Sequence, residues 1–139
     1  MKYLVDTCVW RDFYEDREGF KKEKLGFFAT KFFKIVLKKK HKIIYSKALI
    51  KELKIAYDKV SINQLLSLLI AVKVLELVEI KEQEFKEAKN ISKKLNLPFV
   101  DCLNAVQARN HRAILITQDK HFFYHLKDIC VVKRPQDIN

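Results

Sequence analysis

The feature that most constrains the fold is an alternation. Short apolar, β-leaning runs recur along the chain: KYLV (2–5), KIIYS (42–46), LELV (75–78), ILIT (114–117) and ICVV (129–132). Between them apolar residues fall at helical spacing. Leu25, Phe28, Phe32, Ile35 and Val36 form one stripe; Leu49, Leu53 and Ala56 form another. Leu65, Leu68, Leu69 and Val72 follow, then Phe85, Ala88, Ile91 and Leu95. Val100, Leu103, Val106 and Gln107 mark a fifth helix. Parallel strands need long crossovers, usually helical, so this pattern predicts an α/β fold with a parallel sheet covered on both faces. A length of 139 residues, 49% of them hydrophobic, fits one domain around one sheet. Pro98 fits the first turn of its helix, where a missing N–H costs nothing. Ser46 fits the N-cap of the helix that carries Glu52.

Glycine scarcity removes several functions. The chain has only Gly19 and Gly26, so it cannot build the clustered-glycine loops that cradle nucleotide phosphates. Cys8, Cys102 and Cys130 form no CxxC pair and no zinc pattern, which reads as reduced thiols in a cytoplasm. Lys2 and Asp6 interrupt the first apolar run, so no signal peptide is expected. LLSLLIAV (65–72) is too short to span a bilayer. The expectation is a cytoplasmic protein with no membrane partner. The net charge is +11 and uneven: eleven lysines and one acid, Glu23, fall between Phe20 and Lys51. Such an excess favours a polyanion, most simply nucleic acid. A solvated lysine face gives the same composition.

Against this basic background, four acids fall at places where α/β sheets form sites. Asp6 ends the first strand. Asp119 lies two residues beyond ILIT. Glu52 lies in the helix leaving the second strand, and Asp101 in the first turn of its helix. Open parallel sheets bind ligands outside the carboxyl ends of their strands, where strand order reverses. Each acid also has an ordinary explanation. Asp6 and Asp119 suit helix caps or turns, Glu52 a helix surface, and Asp101 the positive end of a helix dipole. Carboxylates gathered this way repel unless a cation holds them, and hard oxygen donors select Mg2+ or Mn2+. Such an ion activates water and stabilises charge on phosphoryl oxygens. Acids at the centre and lysines around them suit a phosphodiester hydrolase.

LVDTCVW, ALIKEL, LPFVDCLNAVQAR, ILITQDKHF and VVKRPQDI, in this order from Tyr3 to Ile138, resemble the PIN-domain family. The resemblance is closest to the VapC-type toxin ribonucleases of toxin–antitoxin systems. It implies a three-layer α/β/α fold over 1–139 with strand order 3-2-1-4-5. It implies Mg2+- or Mn2+-dependent cleavage of RNA, leaving a 5′-phosphate and a 3′-hydroxyl. By position, Asp6, Glu52, Asp101 and Asp119 match the family's acidic quartet. Thr117 matches a hydroxyl two residues before the last acid, and Thr7 a residue that orients the site. His121 stands where some members carry a further acid, which leaves a second metal open. Asn104, one turn from Asp101, either supports the site or is ordinary helix surface. The resemblance also implies a small antitoxin partner and a homodimer. FFATKFF (27–33) lies where such partners dock, although core packing accounts for most of it.

Other features carry less. His121 and His125 share a face if their segment is helical, yet no third ligand completes a zinc site. Cys8 and Cys102 read as small packing residues, and Trp10 and Tyr14 as core or dimer contacts. Two competing functions stay open. One is a non-catalytic PIN-like module that binds RNA or protein. The other is an aspartyl phosphotransferase with Asp6 as nucleophile, which lacks the usual acid two residues on because Cys8 stands there.

Overall fold

Strand β1 (Lys2–Val5) lies at the centre of the sheet, between β2 (Lys42–Tyr45) and β4 (Ile114–Ile116). Strand β3 (Leu75–Leu77) pairs outside β2, and β5 (Val132–Lys133) outside β4. The order is β3-β2-β1-β4-β5, and every pairing is parallel. Order reverses beside β1, so the crossover notch lies between β1 and β4. The computed structural model describes residues 1–139, the side chain of Leu68 excepted. The Leu68 position in the third stripe therefore lies outside the described residues.

Side chains alternate between the sheet's two faces, as period two requires. Tyr3, Val5, Ile43 and Ile116 enter one core; Leu4, Ile44 and Leu115 enter the other. The first core is covered by α1 (Thr7–Glu15), α2 (Leu25–Lys38), α3 (Lys47–Ala56) and α4 (Lys59–Ala71). The second is covered by α5 (Glu82–Leu95), α6 (Phe99–Asn110) and α7 (Lys120–His125). This is the three-layer α/β/α arrangement. No helix among the described residues is long and apolar enough to cross a membrane.

The apolar stripes mostly face inward, with instructive exceptions. Phe32, Phe33 and Val36 are buried in α2, and Trp10 stacks on Phe33 at 4.8 Å. FFATKFF is thus mainly core, although Phe27 remains exposed. Trp10 is core too, whereas Tyr14 is exposed against Tyr57. In α5 the expected stripe is only half right. Phe85 and Leu95 are exposed, while Glu84 is buried beside Ala88. Glu84 accepts from the Lys81 backbone N–H at 3.0 Å and from Asn110 Nδ2 at 3.0 Å, so hydrogen bonds compensate its burial. Ala56 is exposed at the end of α3, and Val72 is exposed beyond the end of α4. Pro98 is the N-cap of α6, one residue before the expected position. β5 is shorter and later than ICVV, because Ile129 and Cys130 close a turn onto Leu126.

One glycine is required by a close approach. The Gly26 N–H donates to Arg17 O at 2.9 Å, and a Cβ there would lie 2.6 Å from Asp16 Cα. At Gly19 the nearest obstacle is the flexible end of the Glu23 side chain. Gly26→Ala should therefore destabilise the protein by roughly 1–3 kcal/mol through overpacking, while Gly19→Ala stays within about 0.5 kcal/mol. Equilibrium denaturation of the two variants checks the contrast.

Candidate active site

β1 and β4 end side by side, and that pairing builds the site. The Asp6 N–H donates to Ile116 O at 2.9 Å, which ties the first residue beyond β1 to the last of β4. Asp6 is then the N-cap of α1: its Oδ1 accepts from the Thr7 N–H at 2.9 Å. Its Oδ2 accepts from Thr117 Oγ1 at 2.8 Å and from the Cys8 thiol at 3.2 Å. Thr117 is fully buried and also receives the Asp119 N–H at 3.0 Å. One hydroxyl thus joins both acids at the notch. Asp119 in turn caps α7, accepting from the His121 N–H at 2.9 Å.

The helices bring the other two acids to the same rim. Ser46 caps α3 by accepting the Ala48 N–H, and Glu52 follows in the second turn. Thr7 Oγ1 donates to Glu52 Oε1 at 2.5 Å, which couples α3 to the β1 exit. Asp101 lies in the first turn of α6, half-buried, and accepts no hydrogen bond among the described residues. Its surroundings are recorded in its acidity. Burial and then the negative charges of Asp6, Asp119 and Glu52 push its carboxyl up to about 7. Asp6 is pushed up to about 6, chiefly by burial, with hydrogen bonds from Thr117 and Cys8 opposing and Glu52 and Asp119 adding to the rise. Glu52 and Asp119 therefore lie close enough to act on both Asp6 and Asp101.

Every acid picked out from the sequence faces this rim, and so do Thr7 and Thr117. Both explanations of Asp6 and Asp119 hold at once, since each caps a helix and belongs to the cluster. Cys8 is not merely packing, because its thiol touches Asp6; only its adjacency to Asp6 in the sequence hinted at this. Cys102 is a buried packing residue as expected, and Asn104 is buried, not helix surface. His121 and His125 lie on one side of α7 with ring centroids 6.1 Å apart. Among the described residues no three acidic, histidine or cysteine side chains are gathered as a ready metal cage. A separate cleft of about 420 Å³ lies beyond the ends of β2 and β3, lined by Lys47, Leu77, Val78, Glu79 and Ile80 and by none of the four acids.

A parallel sheet with this order and acids at its crossover defines a class, and comparison with known proteins agrees. The PIN domain family model matches residues 3–128, and the chain belongs to the PIN domain family. Among solved structures it is similar to a toxin–antitoxin complex from Klebsiella pneumoniae, with a TM-score of 0.66 and 16% identity over 96% of this chain and 97% of that one. It is also similar to VapBC2 from Rickettsia felis bound to a DNA fragment from their promoter, with a TM-score of 0.67 and 16% identity over 96% and 98%. At such identity the likeness shows the fold. No curated protein matches the chain in sequence.

The weakened acidity of Asp101 has a definite consequence for stability. Its folded value, about 7, exceeds the ordinary 3.8, so the folded chain keeps a proton that the unfolded chain releases between these values. Stability contributed by this group therefore falls as pH rises through that window and stays low above it. In metal-free protein, Asp101→Asn should raise the melting temperature clearly near pH 8 and little near about pH 4. Thermal melts in EDTA at both pH values test this, and an equal gain at both would contradict the assigned repulsion.

Proposed function

We propose that this PIN domain, a single domain over 1–139, is a divalent-metal-dependent endoribonuclease and the toxin of a toxin–antitoxin pair. The observation that carries the proposal is the placement of the acids at one strand-end rim: Thr117 links Asp6 to Asp119, Thr7 links Asp6 to Glu52, and Asp101 stands with its oxygens unoccupied. A structural role does not call for four like charges there. A polyanion-cleaving role does, provided a cation joins them.

The donor set fits a hard ion. All four side chains offer carboxylate oxygen, which suits Mg2+ or Mn2+ better than softer metals. Asp101 fits best, because no hydrogen bond occupies its oxygens. Bound there, such an ion would neutralise the cluster and polarise a phosphoryl group. The protein's own part is positioning. Thr117 and the Thr7 N–H fix the two oxygens of Asp6, while the Thr7 hydroxyl aims Glu52. Burial of Asp6 and Thr117 keeps water from competing for these bonds. Lys47 and Lys51 on α3 and Lys120 beside Asp119 are exposed at the same end of the sheet and would hold flanking phosphates. The reaction is an in-line attack of water on the phosphodiester, with a 3′-hydroxyl leaving and no covalent intermediate.

The toxin role is supported by the two structural neighbours, described as toxin–antitoxin and VapBC2 complexes. By that analogy the chain pairs with an antitoxin; a homodimer and a cytoplasmic location rest on the sequence and its family resemblance alone. One observation favours the alternative of a non-catalytic RNA- or protein-binding module: no ready metal cage stands gathered among the described side chains. Cleavage decides between them. Purified protein should degrade RNA with Mn2+ and stop with EDTA. Asp6→Asn and Asp101→Asn should each lower the rate by about 100-fold or more, the loss of a few kcal/mol of transition-state stabilisation, without loss of fold. Undiminished Mn2+-dependent cleavage by both variants would overturn the site. Expression of the chain alone should slow bacterial growth, and expression of Asp101→Asn should not.

A further inference from the structure

The lysine excess does not gather mainly around the acids. A large share of it stands at the other end of the sheet. Four crossings deliver the chain to the amino-terminal edge: α2 into β2, α4 into β3, α6 into β4 and α7 into β5. The first three share one feature. Each leaves its helix through a basic residue in the left-handed region: Lys40 with φ 55°, Lys73 with φ 56° and Arg112 with φ 54°. Glycine is the low-cost residue for such exits, and an L side chain costs on the order of 1 kcal/mol there. A cation occupies all three places.

The sheet register draws these exits together. Lys2 pairs with Lys42, and Tyr3 pairs with Ile114, two residues after Arg112. Lys42 Nζ donates to Lys73 O at 2.5 Å, which joins the β2 and β3 entrances. A cleft of about 520 Å³ opens here, floored by Leu37, Val72 and Val74 and flanked by Lys40, Lys42 and Lys73. Lys2, Lys40, Lys42, Lys73 and Arg112 are all exposed, and none joins a salt bridge among the described residues. No acidic residue occurs in the connecting segments 39–42, 72–74 and 110–113, and the α7–β5 connection adds Lys127 and one acid, Asp128, near Arg112. His41, beside them, is held below the usual imidazole range by burial and then by the positive charges of the N-terminal amine and Lys39.

Helix dipoles account for part of this charge. The carboxyl ends of α2, α4 and α6 together supply roughly −1.5 elementary charges. Five unpaired cations exceed that even with Asp128 counted against them, so a positive surplus faces solvent. The entrances of β3, β2, β1 and β4 span three inter-strand steps, about 14 Å. One nucleic-acid strand in helical form presents about four phosphates over that length.

We propose that this amino-terminal edge is a second RNA contact, gripping phosphates remote from the acidic rim. It rests on the reading of the chain as RNA-directed. Sequence-independent backbone grip is its chemistry, because lysine ends on short loops offer point charges, not base-edge recognition. Its consequence is selection by size. A short oligonucleotide occupies one edge, whereas a longer or folded RNA reaches both.

The test is binding in EDTA, where RNA stays whole, measured by fluorescence anisotropy against salt. The full chain is compared with a variant carrying Lys2→Gln, Lys40→Gln, Lys73→Gln and Arg112→Gln. For an RNA of about 20 nucleotides the slope of log affinity against log salt should shrink by about 3, with affinity at least tenfold weaker at low salt. An RNA of about four nucleotides, which the edge alone can hold, should also bind the variant more weakly in EDTA. Lys40→Asn with Lys73→Asn provides a second variant that suits the left-handed backbone and should lose about half as much slope. An unchanged slope in folded variants overturns the proposal and leaves the nuclease reading intact. Loss of anionic-vesicle binding without loss of RNA binding overturns it in favour of a lipid surface. A reduced slope in a chain that cuts no RNA upholds the second contact and sinks the nuclease.

Discussion

The structure depends on the bond between Asp6 and Thr117. A carboxylate at the end of the central strand is buried, and burial alone would drive it neutral. It keeps its place because a buried hydroxyl from the neighbouring strand donates to it at 2.8 Å and the next backbone N–H caps it at 2.9 Å. The same hydroxyl receives the Asp119 N–H. Breaking that hydroxyl contact would strand a buried polar pair and loosen both strand exits at once. The parallel β1–β4 pairing therefore fixes where Asp6 and Asp119 stand as well as how the sheet is built.

Parallel topology also sorts charge. Helices run back from the carboxyl edge to the amino edge, so their positive ends meet the acids and their negative ends meet the lysines. Asp6 caps α1, Asp119 caps α7, and Asp101 sits in the first turn of α6. Lys40, Lys73 and Arg112 follow the carboxyl ends of α2, α4 and α6. The acidic cluster thus stands at one end of the strand axis and a basic cluster at the other, although Lys47, Lys51 and Lys120 flank the acids. A net charge of +11 conceals this separation.

Much of this was legible in the sequence because period two and period 3.6 are local signals. The strands, most helices and the order of motifs followed from apolar spacing. The acids were legible by their position after strands, and the family resemblance supplied the strand order. What stayed hidden needed three dimensions. Glu84 is charged, so its burial could not be read; it is buried because Asn110 and a backbone N–H satisfy it. Phe85 and Leu95 looked like core because they are apolar, but they stand at the margin of the packed face; Phe85 rests on Phe99 of α6 at 4.9 Å and stays exposed. Cys8 looked inert because the sequence does not show which way a residue points from the first turn of α1. The amino edge was hidden because its lysines come from segments about 30 residues apart along the chain, joined only by register.

Helix capping accounts for two of the four acids and cannot account for the others. Asp6 and Asp119 would be kept by any chain that needed those helix starts. Glu52 accepts one hydroxyl, and Asp101 accepts nothing among the described residues. Asp101 is half-buried under the charges of three other carboxylates. The favourable dipole of α6 is worth at most about 1 kcal/mol at such a place, and it competes with both desolvation and repulsion. Asparagine would fit that volume, keep the helix and remove the repulsion. A chain shaped only for stability has no reason to retain the acid. Strain of this kind persists where a ligand relieves it, and the ligand that relieves clustered carboxylate charge is a cation.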